Sequence, residues 1–577
     1  MTADQISTAN INPTTYFREG GILVGRFAIV ALLTIFVIGG FWLRAVNLSD
    51  ESLGEDEWKK LESVEDYRAH GLTGANGEHP LFLKGILTIS VVVAERWNSA
   101  FAQNNESLQI PVETALRLPV TIFGASSAIL IFLIGAELFG IEVGLIAAGL
   151  WAFDPSAIGF ARIAKEDVIM TFFFMLASVF LLRSQRVAET TRGNYMKWMW
   201  LTAAAFGALM ATKYMPHFLA IAAAYYFTFQ ALPTTKWRLG QKRWLIFLII
   251  VGVSFLVFNP TILLPDTWRA IAAFVSENRV GYKVESSYEY MGVIYRNKLT
   301  LWLFGVPWHF YYVFMAVKLP LTTIAGFLIG LVLMFRRQLG DGRYFLFWWC
   351  FFWFWPFTVL GGKFLRYFAF PLPAVMLIAA IGIAFVVRQV TYRLAKNGSD
   401  NIAVRNGVFA AVLLTATAIP LIDSIRVTPH YRLYTNILGG GMAEAGNYFP
   451  HDEFFDSRLG EAMKFVAANA VPDARVYSET AKLTEYHLHR LGRDDIKSVW
   501  LSDPSELAHM RPGDVVIDAR GRRYISNNAF LKRLEEVSMP AEIVSLGEVP
   551  AVDIYVINEQ SLKLLVLPLQ SRDTPDL

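Results

Sequence analysis

Cysteine is nearly missing from this sequence. Its one thiol, Cys350, leaves no intrachain disulfide and no Cys-based zinc site. Charge is also sparse: Asp, Glu, Lys and Arg make up 18% of 577 residues, against 54% hydrophobic and 14% aromatic residues. That balance excludes a disordered chain and an ordinary soluble multidomain enzyme. The net charge of +3 gives no basic excess of the kind a nucleic-acid partner needs. The strict alternation of membrane β-barrel strands is missing too, since stretches such as 245–258 are apolar throughout. There is no regular repeat, low-complexity tract or phosphate-loop motif, and Gly439-Gly440-Gly441 is too short to count as one.

What the sequence does have is apolar blocks of about 17 to 22 residues, each long enough to cross roughly 30 Å of hydrocarbon as a helix. Spans are expected at 21–43, 118–136, 143–160, 168–182, 196–211, 215–232, 244–258, 319–335, 344–360, 367–387 and 408–425. The first has full spanning length and no cleavage site after it, so it reads as a retained helix and not a signal peptide. The block 81–100, with Lys84, Glu95, Arg96 and Asn98 along it, decides the side of everything that follows. Loops rich in Lys and Arg, such as Arg183, Arg186, Arg192 and Lys197, or Lys236, Arg238, Lys242 and Arg243, share the cytoplasmic side with Arg18 and Arg26 only if 81–100 does not cross. It is therefore read as interfacial or re-entrant. The N-terminus is then cytoplasmic, and the loops 46–119, 154–167 and 259–318 lie outside together with the tail. After residue 425 the composition turns charged, with strands expected at 474–478, 515–518, 542–545 and 553–556 and helices near 460–468 and 528–536. The expectation is a mainly α polytopic transmembrane bundle, residues 1–428, followed by a small extracytoplasmic α/β domain, residues 429–577.

Two features of the outer side bear on chemistry. The loop after the first span is acidic, usually the mark of a solvated face. Asp56-Glu57, however, lies only about a dozen residues beyond the span, where a carboxylate at the bilayer surface can act as general base on an acceptor hydroxyl. Positive charge also stands on the outer side against the usual bias, at Arg117, Arg162, Lys165, Lys213, Lys363 and Arg366. Snorkelling to lipid head groups explains such residues as well as a shared phosphate site does. Together the features suit transfer from a phosphate-linked lipid carrier to a hydroxyl or amine. A phosphate leaves as an anion and needs cations more than a general acid, so one base is enough, unlike the carboxylate pair of a glycosidase. Direct displacement would invert the anomeric centre.

The rival readings are a transporter and a non-catalytic envelope assembly protein. The spans carry almost no central charge and show no two-half symmetry, which disfavours the transporter. His79 reads as a hydrogen-bonded turn residue. No His and carboxylate set has metal-ligand spacing, His451-Asp452-Glu453 coming nearest. Trp302, Trp308, His309, Tyr311 and Tyr312 read most simply as an interfacial aromatic belt, and equally as the lining of a lipid-tail or sugar pocket.

In order along the chain come Asp56-Glu57, His79-Pro80-Leu81-Phe82-Leu83-Lys84, Leu116-Arg117-Leu118-Pro119, and Ala161-Arg162 followed by Asp167. Lys318-Leu319-Pro320, Gly362-Lys363-Phe364-Leu365-Arg366-Tyr367 and Tyr448-Phe449-Pro450-His451-Asp452-Glu453 follow. This series resembles the bacterial relatives of dolichyl-phosphate-mannose-protein mannosyltransferases, within the polytopic GT-C glycosyltransferases that use lipid-phosphate sugars. The resemblance implies a hexosyltransferase of the bacterial inner membrane that moves a sugar, mannose being the expected one, from a polyprenyl phosphate to a hydroxyl. The acceptor would be protein Ser or Thr, with a lipid A-type or other envelope glycolipid as the alternative. It also implies Asp56 as base, Glu57 orienting the acceptor or the base, and Arg117 as a structural or donor-phosphate residue. Arg162, Asp167, Lys363 and Arg366 would line the donor cavity, with His79 and Lys84 in support. No metal or other cofactor is specified, and a divalent cation stays open; the partners are the donor, the acceptor and membrane lipids. Two departures stand out: Leu81 replaces the second proline of the His-Pro-Pro motif, and the tail is α/β where the eukaryotic enzymes insert a β-trefoil.

Overall fold

Burying backbone polar groups in hydrocarbon forces an apolar block to close its hydrogen bonds within itself, and every block expected to span holds a helix. The computed structural model describes residues 25–191, 193–231, 234–280, 287–396 and 402–566. The chain runs through α1 (Arg26–Ala45), α2 (Glu55–His70), α3 (Leu81–Phe101), α4 (Val112–Leu138), α5 (Ile141–Phe153), α6 (Pro155–Phe160), α7 (Glu166–Arg186), α8 (Met196–Thr212), α9 (Leu219–Gln230), α10 (Gln241–Phe258) and α11 (Pro265–Val280). A hairpin of β1 (Ser287–Tyr290) and β2 (Val293–Arg296) precedes α12 (Phe310–Lys318), α13 (Leu321–Met334), α14 (Arg343–Val359), α15 (Leu372–Lys396) and α16 (Ile402–Arg426).

Among the described residues six helices are long and apolar enough to cross a membrane: Arg26–Ala45, Glu106–Leu138, Glu166–Thr190, Gln241–Phe258, Leu372–Ala395 and Ile402–Arg426. Ile141–Phe153 and Leu321–Met334 are apolar but shorter. The protein is thus a multi-pass membrane protein, and α3 is not among the six. The block 143–160, expected as one span, is instead broken between α5 and α6. Asp154 accepts a hydrogen bond from the Ala157 N–H at 2.9 Å, and Pro155 opens α6 with no N–H to offer. Arg44 closes the other side of the break, donating to the Trp151 and Ala152 carbonyls at 3.0 and 2.9 Å. Close packing of α13 on α15 depends on small residues, since a Cβ at Gly330 or Gly382 would collide with the facing backbone at Ile378 or Gly326.

The tail holds the four expected strands and a fifth, Lys497–Trp500, that was not expected. After α17 (Pro450–Phe454) and α18 (Leu459–Asn469) come β3 (Arg475–Ser478), α19 (Ala481–Arg490), β4 (Lys497–Trp500), α20 (Pro504–Leu507), β5 (Val515–Ala519), α21 (Asn528–Val537), β6 (Glu542–Leu546), β7 (Val549–Val556) and α22 (Glu559–Val566). The five strands form one sheet in the order β4-β3-β5-β7-β6, with β3 parallel to β4 and β5, and β7 antiparallel to β5 and β6.

Candidate active site

The site begins where α2 begins. Gly54 precedes the helix, and its N–H is taken by the Glu57 carboxylate at 3.0 Å, which closes the first turn. Any side chain at Gly54 would strike the Phe455 ring, so the start of α2 is pressed against the segment that follows the last span. Successive residues of a helix point about 100° apart. Asp56 and Glu57 therefore part company. Glu57 is fully buried and meets Arg117, which donates to its two oxygens at 2.8 and 2.6 Å. The Ala164 N–H adds a further bond at 2.9 Å. Arg117 spends its remaining donors on the Leu48, Glu51 and Ser52 carbonyls at 2.6, 2.8 and 2.9 Å. All five guanidinium donors are consumed. Arg117 thus stands as a structural clamp, and Glu57, expected to orient the acceptor or the base, is closed off from an acceptor and holds the helix turn that carries Asp56.

Asp56 faces the other way and keeps 29% of its side chain exposed. Lys165, the residue just before α7, reaches its Oδ2 at 3.0 Å, and Arg366 approaches the same oxygen at 3.5 Å. Burial alone would raise this carboxyl, but Lys165 and Arg366 hold it well below the usual carboxylate range, so it is ionised at neutral pH. Beside it, Asp167 pairs with Lys213 at 2.6 Å, and Lys213 lies over the Tyr367 ring. Arg366 stacks over Phe364 and comes within 3.8 Å of Asp452, whose other oxygen accepts from Tyr288 and from the Leu365 N–H. Buried atoms without a hydrogen-bond partner remain at Arg366 Nη1 and Asp167 Oδ2. In a low-dielectric pocket such atoms mark where a ligand completes the bonding.

The other expected residues take different places. Arg162 is spent on the Arg44, Val46 and Asn47 carbonyls at 2.9, 2.6 and 3.0 Å, so it caps the end of α1 instead of lining a cavity. Lys363 is buried with its ammonium on the Val306 carbonyl at 2.8 Å and on that of Leu360, where it caps the end of α14. Its neighbour Arg366 reaches the site; Lys363 does not. His79 lies 3.5 Å from Glu166. Burial and then the lysines Lys60, Lys165 and Lys213 outweigh Glu166 and keep the ring neutral. Lys84 sits between the Ala75 and Asn76 carbonyls at 2.7 and 2.8 Å, and burial together with Lys60 brings it down to about 7. Among the described residues no group of three His, Cys, Asp or Glu side chains could hold a metal ion, and beside Asp56 the cation positions are filled by Lys165 and Arg366.

Sequence reading gave too little weight to Lys165, Lys213 and Asp452, and missed the buried pair Lys60–Glu166 at 2.5 Å. The signal for Lys165 and Lys213 was positive charge on the side that the loop charges assign to the exterior. For Glu166 there was none, since a carboxylate beside Asp167 at a helix start reads as an ordinary dipole partner.

Two surroundings complete the site. The tail domain locks onto α2: Arg522, just beyond β5, binds Asp456 at 2.7 and 2.5 Å and Glu55 at 3.1 Å, while Asp456 also accepts the Glu55 N–H at 3.0 Å. An open apolar groove of about 670 Å³ runs between α10 and α11, lined by Tyr214, Phe255, Leu256, Leu263, Trp268 and Ile271. Tyr214, in its lining, is the chain neighbour of Lys213.

Residues 107–264 match the sequence model of the family described as dolichyl-phosphate-mannose-protein mannosyltransferase. No curated protein matches the chain. Similar solved structures include the oligosaccharyltransferase of Archaeoglobus fulgidus in its apo form, with 11% identity, 86% of this chain and 70% of that chain covered, and a TM-score of 0.51. The same enzyme tethered to an acceptor peptide gives 12% identity, coverage of 88% and 70%, and a TM-score of 0.50. ArnT from Cupriavidus metallidurans bound to undecaprenyl phosphate gives 14%, 91% and 98%, with a TM-score of 0.47. The family match is thus confined to the segment 107–264, and the likeness to the archaeal oligosaccharyltransferase is one of fold.

Proposed function

We propose that the protein transfers a hexose, mannose, from a polyprenyl-phosphate carrier to a hydroxyl of protein Ser or Thr on the extracytoplasmic face of the membrane, with inversion and with Asp56 as general base. The observation that carries this is one carboxylate, partly open and ionised, sharing its oxygen with two cations. Asp56 accepts the acceptor hydroxyl proton, Lys165 and Arg366 take the charge that develops on the departing phosphate, and the prenyl tail lies along Tyr214, Phe255 and Trp268. Lys213 and Asp167 orient the sugar phosphate from the α7 side. The acceptor peptide tethered to the archaeal oligosaccharyltransferase supports a protein acceptor on this fold.

The test is transfer of labelled mannose from a prenyl-phosphate-mannose to peptides by the purified protein. Asp56→Asn keeps the shape and removes the proton acceptor, so turnover falls about 10²–10⁴-fold. Unchanged turnover in that variant would end the assignment.

A further inference from the structure

Resting on the donor reading above, we propose that Lys165 and Arg366 mask the Asp56 carboxylate in the empty enzyme and turn to the donor phosphate when it binds, so that Asp56 becomes an effective base only once the sugar donor is in place.

The geometry separates held cations from loose ones. Arg117 has every donor bound and cannot turn to a ligand. Lys165 has one close partner, Asp56 at 3.0 Å, with Glu166 at 4.0 Å. Arg366 stacks on Phe364 but touches carboxylates only at 3.5 Å, in Asp56, and 3.8 Å, in Asp452, and its Nη1 is buried with no hydrogen-bond partner. These two can swing to an incoming anion at little cost in bonds broken. The other charges facing Asp56 are less free: on its own helix Lys59 is bound to Glu55 at 2.7 Å and Lys60 to Glu166 at 2.5 Å. From the α7 side Asp167 is neutralised by Lys213 at 2.6 Å.

A carboxylate pressed by two cations is a weak base, because its anion is stabilised more than its acid. An arriving phosphate reverses this twice. It draws the cations into stronger, charge-assisted bonds of its own, and it adds negative charge next to Asp56. Both effects raise the proton affinity of Asp56, towards the range where proton transfer from a hydroxyl is efficient. In the transfer step the acceptor oxygen bonds to the anomeric carbon as the carbon–oxygen bond to phosphate breaks, its electron pair leaving with the phosphate. The hydroxyl proton moves to Asp56 and passes to water once the product has gone. With no donor bound, neither water nor acceptor is activated, so the donor binds first.

The experiment is an infrared titration of the carboxylic-acid band of Asp56 in the full-length protein, assigned by its loss in Asp56→Asn, with and without geranylgeranyl monophosphate. Binding of the phosphate raises the titration midpoint by about 1 to 3 pH units, the effect of losing a close opposite charge. Lys165→Gln raises it in the ligand-free protein as well. A midpoint that ignores Lys165→Gln overturns the proposal, as does one that stays put or falls when the phosphate binds. If the monophosphate does not bind, the donor reading falls and takes this one with it, whereas binding without a shift sinks this one alone.

Discussion

Glu57 and Arg117 form a closed bidentate pair, both almost without solvent, while Asp56, one residue earlier, opens to the outside. Neighbours in sequence therefore serve opposite ends: Glu57 fixes the helix that Asp56 uses.

Because the Glu57–Arg117 pair is buried, removing one partner strands the other. Arg117→Ala is expected to cost about 3–5 kcal/mol of stability. Thermal unfolding in detergent reads this directly. A variant that melts like the wild type but binds donor poorly would make Arg117 a donor ligand instead.

Lys363 and Arg366 should separate cleanly. Arg366→Ala is expected to lower kcat about 10²–10³-fold with the fold retained, as for loss of a donor to developing charge. Lys363→Met leaves the Val306 and Leu360 carbonyls unpaired, costing about 1–3 kcal/mol of stability, with the donor KM unchanged. Donor titrations and melting curves of the two variants together make the check.

Lys84 gives a pH dependence. Burial and Lys60 lower it to about 7 from the usual 10.5, so the unfolded chain holds a proton between these values that the folded chain has released. Stability from this group therefore rises with pH from about 7 to 10.5 and is lowest below 7. A neutral amine still offers two N–H donors for the two carbonyls that face it. In Lys84→Met the melting temperature should lose that upward slope; an unchanged slope would assign it elsewhere.

The tail domain holds α2 through Arg522, Asp456 and Glu55. Arg522→Ala is expected to reduce kcat up to about 10²-fold by letting Asp56 shift, with little change in donor KM. Limited proteolysis should show the tail still folded. Loss of kcat in step with donor affinity would count against a positioning role.

The bundle was legible because hydrocarbon length and backbone bonding leave an apolar block few choices. The break at Asp154-Pro155 could have been read from its capping residues, yet the surrounding block is apolar enough to hide it. Short strands such as Lys497–Trp500 lacked a clear alternation. In the site, charge on the outer side singled out Lys165, Lys213 and Arg366 along with Arg117, Arg162 and Lys363. Composition cannot tell a cation aimed at a ligand from one spent on loop carbonyls, because that depends on which distant segments meet. Nor can adjacency show that Asp56 and Glu57 face different ways.

The groove between α10 and α11 is walled almost wholly by apolar side chains, with the Tyr214 hydroxyl as the exception. A carrier whose prenyl tail lies there, as proposed above, competes with its own spent form for one apolar lining. Spent carrier then blocks its loaded successor, so throughput depends on how quickly the surrounding membrane clears it.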